Sequence, residues 1–372
     1  MFPILLANLV SSALTPRAPR RRHEPPARAS KGRAKPINLA LQGGGAHGAF
    51  TWGVLDQLLD DGRIAIEGIS GASAGAVNAV MLADGLTRGG PDEARQRLAD
   101  FWRAVSVDGH LGKVQRGVVE RLFPFVAGDG LWFGAMSRML SPYDLNPLNI
   151  NPLKELIERF VDFEAVRSCA RLALFVSATN VHTGRLRIFP REKITADVIM
   201  ASACLPFLFR TVEIDGEPYW DGGYLANPPI FPFFSTTESE DVLIVQINPL
   251  ERREVPTASK DIMNRINEIT FNSSLMSEFR AIEFVDRLID QGRLARGTGP
   301  GQYRRMNVHR IVLDRMGKQL DADTKLSNDY DFFEMLRTSG KRAARRFLDA
   351  HFDDIGVCST FDLRAEAHAE WA

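Results

Sequence analysis

The 372-residue chain has few cysteines, no excess of charge of either sign, and no apolar run of the roughly 20 residues that a membrane-spanning helix needs. Cys169, Cys204 and Cys358 are too few and too scattered for a disulfide scaffold or a zinc site. The 46 basic and 46 acidic side chains balance, which argues against a nucleic-acid-binding protein. With 45% hydrophobic residues, the composition indicates a globular chain of one large or two medium domains and excludes disordered, collagen-like and coiled-coil proteins.

The neutral total hides a basic arm at the start of the chain. Residues 1–36 contain eight basic side chains and one acidic side chain, a net charge of +7, whereas the remainder has 38 basic and 45 acidic groups, a net of −7. Positive charges follow the apolar residues 1–14 instead of preceding them as in a secretory signal. Because prolines interrupt any helix here, we expect a disordered arm, with contact to an anionic lipid surface and a targeting or anchoring role as alternatives.

Beyond the arm, short apolar runs alternate with helical patterns, which predicts an α/β layer fold with a mainly parallel sheet. Strands are expected at residues 37–42, 64–70, 172–179, 185–189, 210–215, 217–221, 242–248 and 307–313. Helices are expected near residues 49–60, 74–85, 92–105, 195–204, 258–291 and 329–352. Residues 107–151 mix glycine, proline and aromatic residues without a period, as lids and binding loops often do.

A glycine-rich turn, GGGAHG at residues 43–48, lies between the first strand and the first helix. Glycines allow a positive φ and turn backbone N–H groups towards an anion at the positive end of a helix. An oxyanion hole is one interpretation. Because Gly43, Gly45 and Gly48 match G-x-G-x-x-G, a dinucleotide-phosphate loop is another, and a turn without a ligand is a third. The dinucleotide interpretation lacks an acidic residue at the end of the second strand, since Glu67 lies inside that strand.

A second block, GASAG at residues 71–75, follows the second strand and precedes a helix. This is the context that the G-x-S-x-G motif of serine hydrolases requires. Small residues on both sides allow a tight, strained turn that presents the Ser73 hydroxyl at the end of the strand. The motif therefore predicts Ser73 as a nucleophile.

The third block is Asp221-Gly222-Gly223, which by itself is also a plain hairpin turn. It gains meaning as a partner for Ser73, because a serine nucleophile needs a base. None of the seven histidines lies in a motif that would present it to Ser73. A Ser73–Asp221 pair therefore fits the sequence better than a Ser–His–Asp triad.

Taken in order, residues 43–48, 71–75 and 221–223 resemble the three signature blocks of the patatin-like phospholipases, and the resemblance covers roughly residues 37–225. It implies a three-layer α/β/α sandwich, a Ser73 nucleophile and an Asp221 base, without a metal or other cofactor. The residues that it assigns to the oxyanion hole are Gly43, Gly44 and Gly45. The glycines that it assigns to motif support are Gly48, Gly71, Gly75, Gly222 and Gly223.

One position departs from this pattern. The family often has arginine or lysine where this chain has His47, which puts in doubt a fixed positive charge near the bound anion. Asn227, shortly after the third block, is a hypothetical orienting residue for that region. We predict a disordered arm over residues 1–36, a hydrolase core over residues 37–250 and an extension packed on the core over residues 251–372.

The predicted function is a serine-dependent lipid acyl ester hydrolase. A polyhydroxyalkanoate depolymerase or short-chain esterase with the same dyad is one alternative, and a non-catalytic lipid-binding protein is another. The apolar residues within 121–153 are interpreted either as the cap of an acyl-chain pocket or as ordinary core. The predicted partner is a lipid or other ester and not a nucleic acid, in a cytoplasmic protein for which peripheral contact with a membrane or lipid granule stays open.

Overall fold

The computed structural model describes residues 34–106, 141–146, 149, 151–206, 208–297, 302–313, 320, 324–325 and 327–367. Most of the predicted arm lies outside the described residues, and so do most of the predicted lid and the apolar residues 122–140 within it. The first strand begins at Lys35, two residues before the predicted start of the core. The boundaries predicted at residues 36 and 250 stay predictions.

Eight strands are described, and their lengths follow the apolar runs of the sequence. They are β1 (Lys35–Leu41), β2 (Ile64–Gly71), β3 (Ala173–Asn180), β4 (Leu186–Pro190), β5 (Val212–Ile214), β6 (Glu217–Asp221), β7 (Asp241–Gln246) and β8 (Asn307–Val312). The sheet order is β5-β6-β3-β2-β1-β7-β8, and β4 also pairs with β3. Strands β3, β2, β1, β7 and β8 are parallel, whereas β4, β5 and β6 join antiparallel, so the predicted mainly parallel sheet is confirmed.

The α-helices of the described part of the chain connect and cover these strands. They are α1 (Gly48–Asp61), α2 (Ala74–Arg88), α3 (Pro91–Val105), α4 (Pro142–Leu145), α5 (Pro152–Phe160), α6 (Phe163–Ser168), α7 (Ala196–Ser202), α8 (Phe233–Thr236), α9 (Ser259–Asp290), α10 (Tyr330–His351) and α11 (Leu363–Ala367). Short 3₁₀ turns follow β1, β4 and β6 at Gly45–His47, Arg191–Lys193 and Gly222–Tyr224.

The sheet is covered on both faces, which is why its parallel strands are continuous apolar runs and do not alternate in polarity. Successive side chains of a strand point to opposite faces. In β1, Leu39 and Leu41 join a core with α1, α2, α3 and α10, whereas Ala40 joins a second core with α9. The two cores place helices above and below the sheet. The predicted three-layer α/β/α sandwich is therefore confirmed.

Helix α10 packs on α1, and a buried carboxylate fixes this pairing. Asp56 on α1 is 2% exposed and bonds to Arg95 of α3 at 2.7 Å and to Arg337 and Lys341 of α10 at 2.9 Å each. These guanidinium and ammonium hydrogen bonds lower the pKa of Asp56 against the opposing effect of burial. The late helix α10 is thus tied to the first helix of the chain.

Candidate active site

Ser73 occupies a strained turn between β2 and α2. Its φ of 52° and ψ of −125° lie in a backbone region that residues other than glycine rarely adopt. The turn closes tightly because Gly75 has no side chain, and a Cβ there would overlap the carbonyl oxygen of Leu41. The backbone N–H of Ser73 donates to Ser202 Oγ at 3.0 Å, so α7 also fixes the turn. Ser73 is only 8% exposed.

The glycine turn lies directly against Ser73, since a Cβ on Gly43 would lie 2.6 Å from the Ser73 Cβ. The backbone N–H and the backbone carbonyl of Gly43 both already form hydrogen bonds. Its N–H donates to Asn227 Oδ1 at 2.6 Å, and its carbonyl accepts from Asn248 Nδ2 at 2.7 Å. Asn227 therefore orients the glycine turn, whereas the sequence suggested it as an orienting residue for the region of the third block. Gly43, which the resemblance assigns to the oxyanion hole, therefore has no N–H left for a ligand.

Gly44 and Gly45 are in a different situation. Within the part of the chain that the structure describes, their N–H groups have no hydrogen-bond partner, and both residues line the same cavity as Ser73. Gly45 has a φ of +59°, and a Cβ there would overlap the carbonyl oxygen of Lys325. The N-terminus of α1 follows directly, and its partial positive charge favours an anion nearby.

Asp221 ends β6 and is fully buried. Its Oδ1 accepts the Gly223 N–H at 2.7 Å, its backbone N–H donates to Cys204, and its carbonyl accepts from Thr179. Its Oδ2 has no hydrogen-bond partner among the described residues. Burial raises the pKa of the Asp221 carboxyl to about 7, although the Gly223 N–H and the nearby Ser73 hydroxyl lower it in part.

These contacts define what the Ser73–Asp221 pair can do. The Ser73 hydroxyl is close enough to influence the Asp221 carboxyl, yet it falls short of a hydrogen bond to Oδ2. Catalytic hydrogen bonds are often long until a substrate binds. A carboxylate with one unbonded oxygen and a pKa near neutrality can accept a proton at physiological pH.

The cavity beside Ser73 has a volume of about 290 Å³ and is mainly apolar. Its described apolar lining includes Val77, Phe101, Trp102, Val105, Leu153, Leu156, Leu205, Leu208, Phe209, Phe271 and Phe333. The lining therefore comes from both halves of the chain. A few polar groups in an apolar cleft are typical of small-molecule sites.

His47 cannot supply positive charge to this site. It is buried, its Nε2 lies 2.8 Å from Thr324 Oγ1, and burial together with the charges of Lys325 and Arg252 lowers its pKa to about 3. Among the described residues that line the cavity, Lys325 is the charged one. No sequence motif singled out Lys325. Asn248 was also missed, although a polar residue just after the apolar run of β7 lies where ligands of open α/β sheets bind.

The chain belongs to the patatin-like phospholipase family, whose model matches residues 39–234. That match covers more than half of the chain and contains residues 43–48, 71–75 and 221–223. The resemblance that was predicted from these three blocks is therefore confirmed.

Individual relatives are more distant. The chain is 27% identical over 209 residues to the uncharacterized protein R571 of Acanthamoeba polyphaga mimivirus, which covers 53% of this chain and 61% of that protein. VipD from Legionella pneumophila is 16% identical, with a TM-score of 0.34 over 82% of this chain and 67% of VipD. The ExoU–SpcU complex of Pseudomonas aeruginosa gives 19% identity and a TM-score of 0.30, over 65% of this chain and 51% of the matched chain.

Two further observations concern the described residues alone. None of their helices combines the length and the apolar character needed to cross a membrane. They also contain no group of three or more histidine, cysteine or carboxylate side chains placed to hold a metal ion.

Proposed function

We propose that this protein is a serine-dependent lipid acyl ester hydrolase in which Ser73 is the nucleophile and Asp221 the base. The observation that carries the proposal is the proximity of three features, of which the first two line one apolar cavity. These are Ser73 in a strained turn, the unbonded N–H groups of Gly44 and Gly45, and the buried Asp221 carboxyl beside Ser73. Membership of the patatin-like phospholipase family supports lipid acyl ester hydrolysis in general.

The proposed reaction has two halves. Ser73 Oγ attacks the ester carbonyl carbon and its proton passes to Asp221 Oδ2, while the oxyanion accepts hydrogen bonds from Gly44 and Gly45. The leaving alkoxide takes the proton from Asp221, which leaves an acyl-enzyme. Water then attacks the acyl group and gives a proton to Asp221, and this proton returns to Ser73 as the acid is released. Loss of one oxyanion donor typically costs about 10²–10³-fold in rate.

The glycines divide into donors and supports in this proposal. Because the Gly43 N–H is held by Asn227, oxyanion donation is assigned to Gly44 and Gly45, and Gly43 keeps the turn against Ser73. Gly223 donates its N–H to Asp221 Oδ1. The close packing at Gly48, Gly71, Gly75 and Gly222 leaves no room for a Cβ.

The apolar lining of the cavity favours an acyl chain as the group bound there. A polyester or a short-chain ester would undergo the same steps, so these substrates are the second candidates. A cytoplasmic location and peripheral contact with a lipid surface belong to this proposal as well. A non-catalytic lipid-binding protein would keep the cavity but would not use Ser73.

The test compares Ser73→Ala with Ser277→Ala, a matched control on the exposed side of α9. Labelling by a fluorophosphonate probe and hydrolysis of phospholipid, acylglycerol, short-chain ester and polyhydroxybutyrate are measured. We expect Ser73→Ala to lose labelling and to lose hydrolysis by at least about 10³-fold, while the control keeps both. Substantial activity in Ser73→Ala would contradict the proposal. Failure of the probe to label the folded wild-type protein would favour the lipid-binding alternative.

A further inference from the structure

Lys325 lies in the wall of the cavity, held against the glycine turn. Its carbonyl oxygen packs on Gly45 at a distance that only glycine permits. Its Nζ donates to Asn248 Oδ1 at 2.7 Å, and the Nδ2 of the same amide holds the Gly43 carbonyl. One asparagine therefore connects the lysine ammonium to the turn that carries the proposed oxyanion donors.

The charge of Lys325 is not neutralised by a carboxylate of its own. Among the described residues Lys325 forms no salt bridge. Glu268, whose charge acts on Lys325, is already paired with Arg252 at 2.7 Å and Arg265 at 3.1 Å. His47 on the neighbouring turn is neutral. A cation that is removed from water without an opposite charge beside it is costly, and a bound anion would offset that cost.

Five polar residues belong to the described lining of the cavity, and two of them are Ser73 and Asn151. Lys325, Ser327 and Asn328 come from one stretch of chain, whereas most of the other described lining side chains are apolar. We call these three residues the polar corner. A cavity with an apolar wall and a cationic corner matches an amphipathic molecule, with an acyl chain against the wall and an anionic group at the corner.

We propose that Lys325 is a specificity-determining residue whose ammonium binds a phosphate next to the scissile ester, so that phosphate-bearing acyl esters are preferred over neutral ones. This inference rests on the function proposed above. It differs from oxyanion stabilisation, because a cation acting on the oxyanion would accelerate every ester equally.

The kinetic test compares Lys325→Met, which removes the charge, with Lys325→Arg, which keeps it. Phosphatidic acid and diacylglycerol with the same acyl chains are presented in the same mixed micelles. Loss of the bond to Asn248 should slow both lipids alike, and we expect Lys325→Met to lower the ratio of kcat/KM for phosphatidic acid to that for diacylglycerol by about 10–100-fold. Lys325→Arg should restore most of the preference. An equal loss on both lipids, or no loss on either, would overturn the proposal.

The pH dependence gives an independent measurement. Burial and the charge of Arg252 lower the pKa of Lys325 to about 8, against the opposing effect of Glu268. The preference of the wild-type protein for phosphatidic acid should therefore fall as pH rises through about 8, because the ammonium loses its proton. In Lys325→Arg the preference should not fall over this range, because the guanidinium keeps its proton and the phosphate only gains negative charge. The ratio of the two lipids cancels any titration of the common catalytic groups.

A binding experiment separates failure of this inference from failure of the proposed function. The Ser73→Ala protein and the double variant that also carries Lys325→Met are titrated with lysophosphatidic acid, monoacylglycerol and inorganic phosphate. We expect the Met variant to bind lysophosphatidic acid about tenfold more weakly and monoacylglycerol equally. Inorganic phosphate that binds as tightly as the lipid would indicate a free-phosphate site and overturn substrate selection. Persistent fluorophosphonate labelling of Ser73 in Lys325→Met alone would show that any loss is not a loss of the nucleophile.

Discussion

Two segments of the chain contribute differently to the site. The matched segment, residues 39–234, contains the glycine turn, Ser73 and Asp221. The following segment, residues 235–367, contributes groups that hold the turn, together with Lys325. The groups proposed to react thus lie in the matched segment, whereas the groups that position them come from both segments, since Asn227 and Ser202 belong to the matched one.

Gln42 shows how the following segment acts. It precedes the glycine turn, donates to Asn272 Oδ1 at 2.9 Å, and accepts the N–H groups of Ile247 and Asn248 at 2.9 and 2.8 Å. Helix α9 provides Asn272, and β7 leads into residues 247 and 248. The side chain of Gln42 therefore attaches the start of the turn to two elements of the following segment.

The same helix holds the other support of the turn. Ser274 Oγ accepts the N–H of Asn227, and Glu278 Oε1 accepts the N–H of Ile230 at 3.0 Å. Asn227 in turn fixes Gly43. This comparison implies that loss of a reacting group in the matched segment removes chemistry, whereas damage to the following segment displaces groups that are still present.

The largest effect is expected from Asp221→Asn in the matched segment. The amide cannot accept the Ser73 proton, so kcat/KM should fall by about 10²–10⁴-fold while the protein stays folded. In the wild-type protein, kcat/KM should rise with pH through about 7, because the carboxylate is the active form and burial sets its pKa there. Hydrolysis rates from pH 5 to 9 test both statements. Asp215→Asn at the exposed hairpin is the control. Unchanged kinetics in Asp221→Asn would exclude Asp221 as the base.

An intermediate effect is expected from Asn272→Ala in the following segment. Its amide bonds Gln42 and the Pro249 carbonyl, and their loss should shift the glycine turn. We expect kcat to fall about tenfold on phosphatidic acid and diacylglycerol alike, with KM and the pH profile unchanged. Asn264→Ala on the same helix is the control. A loss of stability with normal kcat would show that α9 supports folding and not the position of the turn.

The smallest effect on activity is expected from Glu278→Gln, which should instead change the stability of the protein. Burial raises the pKa of Glu278 to about 7, so the folded protein holds a proton that the unfolded chain releases near pH 4. This contribution to stability is complete at low pH and is lost as pH rises through about 7. Gln keeps the acceptor and cannot ionise, so it should raise the free energy of unfolding at pH 8 by about 1–3 kcal/mol.

Urea unfolding at pH 5 and pH 8 measures this difference. The exposed Glu155→Gln on α5 is the control and should leave the pH dependence unchanged. If the free energy of unfolding changed with pH equally in Glu278→Gln and in the wild-type protein, Glu278 would be excluded as the source of that change.

Local patterns predicted much of the fold. The runs at residues 37–42, 64–70 and 242–248 correspond to β1, β2 and β7 within two residues, because burial on both faces requires continuous apolar sequence. The helix expected at residues 258–291 is α9. The strained turn expected at Ser73 has the positive φ that its small neighbours allow.

The supports of the site could not be predicted in this way. Gly43 and Asn227 are 184 residues apart, and Gln42 and Asn272 are 230 residues apart. A single hydrogen bond over such a separation leaves no periodicity or motif in the sequence. The glycine pattern likewise predicts exposed N–H groups but does not reveal that a distant amide already holds the one on Gly43. The position of Lys325 depends on the packing of its backbone against Gly45, which no local pattern encodes.

The contact between Gly45 and Lys325 has a consequence for altering this protein. Because two backbones touch there, an insertion or deletion near residue 325 would push directly on the turn that holds the proposed donors. A change of the residue 325 side chain leaves that backbone contact in place. Variants with a new preference among lipids should therefore arise by substitution at this position, and changes in the length of its loop should reduce turnover of every substrate.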